Sequence, residues 1–124
     1  MSTIIASNIS DGTTSVASTY VVNGSAKAWV NFNGTGAVAI YDSLNVGSIT
    51  DVGTGQYRVN FTNAMPDANY AALGQKHYAV NDDGKYAQLM PYPATQIAAS
   101  YSFGILNPGV DFYDSILISV AIFR

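Results

Sequence analysis

Over Gln56 to Thr62 apolar Tyr57, Val59 and Phe61 alternate with polar Gln56, Arg58, Asn60 and Thr62. A period of two sends successive side chains to opposite faces, so this segment reads as a strand with one buried and one wet face. The same reading predicts strands near 26–32, 36–41, 46–51, 56–62, 69–76, 85–90, 96–105 and 115–123, separated by turn residues. Asn33-Gly34 follows Trp29-Val30-Asn31-Phe32 at once, and this dipeptide tolerates the positive φ of a tight hairpin. No segment joins a helical period to caps; the Ala-rich stretch Tyr92 to Ser100 comes nearest. The expected fold is all-β, an antiparallel β-sandwich, jelly-roll-like, over residues 26–124.

Residues 1–25 differ. They are rich in Ser and Thr, with isolated apolar positions at Ile4, Ile5, Ile9, Val16 and Tyr20-Val21-Val22, too sparse for a helix face. They read as an extended N-terminal arm, with turns at Asp11-Gly12 and Asn23-Gly24. Low charge and sparse apolar positions suit an arm that lies along a partner's surface rather than one that builds the core.

Two strands ask for cover on their second face. Near the end of the chain Ile116, Ile118, Val120 and Ile122 share one side, while Leu117, Ser119, Ala121 and Phe123 leave the other largely apolar. In the strand from Ala26, the apolar set Ala28, Val30 and Phe32 leaves Trp29 beside Lys27 and Asn31. Trp29, Leu117, Ala121 and Phe123 are therefore candidate interface residues. Either a loop or the arm of the same chain covers Trp29, or a neighbouring subunit does.

Composition narrows the chemistry. At 124 residues the chain fits one domain able to bury its own core. Only 10% of residues are charged and none is Glu, so neutral polar groups carry the surface, which is then easily buried against copies of itself. Five Lys plus Arg, dispersed, with a net charge of −3, offer no stripe for phosphates, and nucleic-acid binding is not expected. With no cysteine there is no disulfide, thiolate nucleophile or thiolate metal site. Met1 to Ala6 has neither a basic leader nor a long apolar run, and no run reaches membrane-spanning length. No signal peptide and no membrane insertion are expected.

The words AKAWVNFNGTG, SITDVGTGQYRVNF and AMPDANY, with a final SVAIFR, stand in one order and make up about a third of the chain. In them the chain resembles a recurrent module of tailed-bacteriophage virion proteins, usually tail-fibre or peripheral structural proteins. The resemblance implies a trimer, which favours a neighbouring subunit over Trp29. It also implies a place on the exterior of tail or capsid, with residues 1–25 docking to another virion protein, after synthesis in the host cytoplasm.

No catalytic constellation accompanies these features. His77, the single histidine, has no second nitrogen, sulfur or sequence-close carboxylate beside it, and no nucleophile elbow occurs. Asn81-Asp82-Asp83-Gly84 has carboxylates that suit calcium, but the spacing fails the EF-hand pattern and a β-turn explains the same letters. No enzyme activity, metal or cofactor is expected. Nine tyrosines are many for this length. Tyr41, Tyr57, Tyr70 and Tyr101 fall on expected strands and read as core or cross-strand residues. Tyr78, Tyr92 and Tyr113, with His77 and Asp82, lie near turns and form the candidate glycan contacts.

Two functions stand nearly level. One is a trimeric fibre or spike module for attachment to host-surface glycan, its weak sites summed by multivalency. The other is a capsid decoration, or cement, protein that stabilises the head, favoured because no shaft-forming repeat accompanies the module. A free carbohydrate-binding module is a third, weaker reading.

Overall fold

The computed structural model describes residues 1–77, 88–106 and 111–124, with the side chains of 88, 89 and 91–95 outside that description. The chain runs β1 (Asn8–Ser10), β2 (Ser15–Ala17), α1 (Ser18–Gly24), β3 (Ala26–Asn33), β4 (Ala39–Leu44), β5 (Val46–Gly53), β6 (Gln56–Phe61), β7 (Ala71–Lys76), β8 (Gln88–Ile97), β9 (Ser100–Leu106) and β10 (Ile118–Phe123). Strands β3 to β10 form two antiparallel four-stranded sheets, ordered β4-β3-β10-β7 and β5-β6-β9-β8. The fold is an all-β sandwich. Hairpins β3–β4, β5–β6 and β8–β9 each stay within one sheet, and β10 returns last to lie beside β3, a closure of the Greek-key kind.

Alternation explains the core. In β3 Ala28, Val30 and Phe32 are buried while their neighbours are half-buried, and β10 repeats this with Ile118, Val120 and Ile122. Opposite them β6 supplies Tyr57 and Val59, and β9 supplies Tyr101, Phe103 and Ile105. Phe32, Tyr57 and Phe103 meet ring to ring at 5.2–6.3 Å between centroids, and Tyr101 continues the chain to Tyr70 and Phe61. Such contacts add about 0.5–1.5 kcal/mol each beyond the area they bury. Tyr70 also closes the β8–β9 turn, its hydroxyl donating to Ser100 O at 2.8 Å or Ile97 O at 3.1 Å.

Several expectations are corrected. The stretch 96–105 is not one strand: a turn at Ala98-Ala99 divides it between β8 and β9, and Tyr92 to Ser100 is largely strand. Pro91 and Pro93 lie in β8 at the edge of its sheet, where a missing N–H leaves no ladder partner unpaired, whereas in a helix they would break it. Asn33-Gly34 is not a two-residue hairpin turn, because residues 34–38 separate β3 from β4. Asn33 Oδ1 instead accepts from Thr35 N and Oγ1, and Gly36 takes the positive φ, +61°. Gly34 is required for another reason. A Cβ there would overlap the Tyr57 hydroxyl and sit 2.6 Å from its Cζ.

Nor is residues 1–25 extended throughout. Asp11-Gly12 does turn the chain: Asp11 Oδ1 accepts from Thr13 N and Thr14 N, Gly12 takes φ +93°, and β1 and β2 pair as a hairpin. Those amides hold the Asp11 carboxyl below its ordinary range, Thr14 most of all. The short helix α1 follows, with no side-chain N-cap, no acid in its first turn and no buried residue. Its sequence holds Thr19, Val21 and Val22, poor helix formers, and no apolar face turns to a core, so pattern could not announce it. Lys27 completes the element from outside, its Nζ donating to Val22 O and Ser25 O.

Candidate assembly face

The two sheets present opposite outer faces. On β5-β6-β9-β8 the outward side chains satisfy one another: Asn60 Nδ2 donates to Ser48 Oγ at 3.0 Å and Thr50 Oγ1 at 2.9 Å, and Arg58 Nε donates to Ser102 Oγ at 3.2 Å. Phe112 lies over Gly104, where an added Cβ would come 2.5 Å from its ring. Ser100, Ser102 and Gly104 are accordingly buried although they point outward. Phe112 thus covers part of this face, while Met90, paired with Gly104, and Ile97, paired with Ser100, stay exposed on it.

On β4-β3-β10-β7 the register aligns Leu44, Trp29, Ala121 and Leu73 in one row across all four strands. Beside it runs a polar row, Asp42, Asn31, Ser119 and Gln75. Leu44 and Leu73 are exposed, Leu73 by 63%, while Trp29 and Ala121 are half-buried. The small side chain of Ala121 leaves a trough of about 380 Å³ lined by Leu73, Gly74, Gln75, Ser119 and Ala121. Both edge strands add exposed apolar groups, Ile40 and Tyr41 on β4 among them. Tyr41, expected as a core or cross-strand residue, is 60% exposed, and its hydroxyl donates to Ile116 O at 3.2 Å.

The sequence-predicted interface residues thus converge in part. Trp29 and Ala121 are direct partners across β3 and β10, and Phe123 lies on the same outer side one row on. Leu117 precedes β10, half-buried, its carbonyl accepting His77 N at 2.9 Å. Leu44 and Leu73 were not singled out by pattern. Leu44 falls between the predicted strands 36–41 and 46–51, and Leu73 looks like an ordinary strand residue, until the register sets them beside Trp29 and Ala121.

The glycan candidates do not share one face. His77 is exposed, with Nε2 3.4 Å from Ser119 Oγ on the outer side of the sheet. Tyr113 packs against the core, its hydroxyl buried without a hydrogen-bond partner among the described residues and its ring 4.7 Å from Lys76 Nζ. Tyr78 and Asp82 lie outside the described residues, as does the Asn81 to Gly84 segment. Tyr92 is described only as backbone of β8.

At the end of the sandwich where β3 begins, a second cavity of about 280 Å³ is lined by Lys27, Asn45, Asn63, Ala64, Met65, Pro66 and Arg124. Its cations are engaged. Arg124 donates to both carboxylate oxygens of Asp67, at 2.9 and 2.7 Å, and this with the Asn69 amide holds Asp67 below the usual carboxylate range. Among the described residues no three His, Asp or Glu side chains gather as metal ligands, and no helix is long and apolar enough to cross a membrane. Comparisons with protein-family models, curated proteins and solved structures match nothing.

Proposed function

We propose that this chain is a non-enzymatic structural protein on the exterior of a tailed-phage particle, assembling as a trimer through the outer face of β4-β3-β10-β7. The apolar row across the outer face of that sheet carries the reading. Leu44, Trp29, Ala121 and Leu73 align across all four strands beside a row in which Asn31, Ser119 and Gln75 are neutral and Asp42, at the edge, carries the one charge, so little charge need be desolvated. The AKAWVNFNGTG, SITDVGTGQYRVNF and AMPDANY words support the phage assignment and, within it, a fibre or spike module whose trimers attach to host-surface glycan by multivalency.

A second reading, the capsid cement protein, is favoured by the exposure of residues 1–16 with Ile4, Ile5, Ile9 and Val16, a segment suited to lying along a lattice. Light scattering at micromolar protein should give three times the chain mass. A mass of one chain would defeat the assembly reading. Locating the protein in an electron-microscopy map of the particle separates the two placements, density on the tail marking the fibre and density on the head marking cement.

A further inference from the structure

We infer that the trough floored by Ala121 receives residues 1–25 of a neighbouring copy, with Tyr20 of that copy entering it. The inference rests on the assembly reading and adds the occupant.

Two unsatisfied surfaces lie on one chain. The first is the Trp29–Ala121–Leu73 row with its trough. The second is the arm, where Ile4, Ile5, Ile9, Val16, Tyr20, Val21 and Val22 are all exposed, Tyr20 by 73%. Within one copy they do not meet. Lys27 Nζ, bonded to Val22 O and Ser25 O, fixes the C-terminal end of α1 beside the start of β3, and no residue of α1 is buried.

Symmetry then selects between contacts. Two identical sheet faces stacked on each other make an isologous contact, which closes as a dimer. A trimer needs a heterologous contact, one surface against a different surface, repeated around a ring. Arm against trough is such a pair.

Size and charge agree. Covering an aliphatic or aromatic side chain removes roughly 100 Å² of apolar surface, so these seven would cover about 700 Å², close to the ~800 Å² per partner of a stable interface. Asp11 is the arm's one charged side chain, and the apolar row has none, so few ions lose water on contact.

The chain has no cysteine, so introduced thiols report proximity without background. The full-length variants Tyr20→Cys, Leu73→Cys and the double variant would be treated with oxidant and, separately, with a short bis-maleimide. Each would then be run on non-reducing gels, with light scattering and circular dichroism alongside. The expected result is covalent dimers and trimers from the double variant only. Dimers from Leu73→Cys alone would show face-to-face packing and overturn the exchange while keeping assembly. A link closed within one chain, or no link at all, in a protein of trimer mass would likewise overturn the exchange alone. A folded double variant with the mass of one chain, when the unmodified protein also has that mass, would overturn both.

Discussion

Tyr57 and Asp114, 57 positions apart, meet in the structure: the phenol Oη lies 2.8 Å from Asp114 Oδ1. The same carboxylate oxygen accepts Gly55 N at 2.7 Å, and Gly34 O lies 2.9 Å from the phenol. One hydroxyl proton serves both oxygens, and the carboxylate is the stronger acceptor. Burial first, then the Asp114 hydrogen bond and charge, push the phenol far above its ordinary range. The pair ties the β5–β6 turn, the loop after β3 and the segment before β10 together. Tyr57→Phe should therefore destabilise the fold by ~1–3 kcal/mol, the cost of leaving such partners unsatisfied, measured by urea unfolding. A loss below a few tenths would show that water takes the place of the hydroxyl.

Gly36 and Gly55 have nearly the same backbone, φ +61° and +63°, and different surroundings. A Cβ on Gly36 meets open space, while one on Gly55 falls 2.5 Å from Tyr113 N and 2.6 Å from Tyr113 O. Gly36→Ala should cost ~1–2 kcal/mol for the left-handed conformation alone, and Gly55→Ala clearly more, because backbone must move. Equal losses in denaturant midpoint would refute the distinction.

These residues also mark how far the sequence could be read. Alternation around Tyr57, Val59 and Phe61 found the core because burial of one strand face is a local property. The same logic located Trp29 and Ala121, and both lie on the outer face. What joins Tyr57 to Asp114, or Leu73 to Ala121, is register and topology set by contacts far apart in sequence, which no local period encodes. Helix α1 escaped because nothing buries it, so no periodic face had been selected. Tyr41 shows the converse, a strand position on an exposed edge where alternation does not imply burial.

Acid should loosen the end of the sandwich where Arg124 holds Asp67. The lowered carboxylate of Asp67 contributes stability that is fully present above its unfolded value, 3.8, and is lost as pH falls through the lower folded value. Asp67→Asn should remove that part of the acid dependence and leave neutral stability little changed, as for an exposed pair. Unfolding midpoints from pH 6 down to pH 2 would check this, and identical profiles would reject it.

Alkali acts on the core tyrosines. Burial raises Tyr57 and Tyr101 above the ordinary 10.0, and pushes Tyr70 up to about 12. An acid whose folded pKa is raised contributes stability that is present below its unfolded value and lost as pH climbs toward the folded one. Stability should fall from pH 10 upward, and part of the tyrosinate absorbance should appear only together with loss of the β-sheet signal. Complete tyrosine ionisation in a still-folded protein would contradict the burial of these three phenols.

Leu73 isolates assembly from folding, because it is exposed on the edge strand β7 and absent from the buried core. Leu73→Asp places a carboxylate on the rim of the trough, where contact with a second copy would strip its water without supplying a cation. In the separate chain that carboxylate stays hydrated, so folding stability should shift by no more than about 0.5 kcal/mol, as for other surface changes. The expected outcome is a mass of one chain by light scattering with an unchanged β-sheet spectrum. Trp29, the single tryptophan, stands in the same row and reports the event: its emission should move to longer wavelength as the neighbour leaves. A variant that keeps the trimer mass and the original emission would place the contact elsewhere on the sandwich. Leu44→Asp, at the far end of the row on β4, would then test whether the Trp29 side alone carries it.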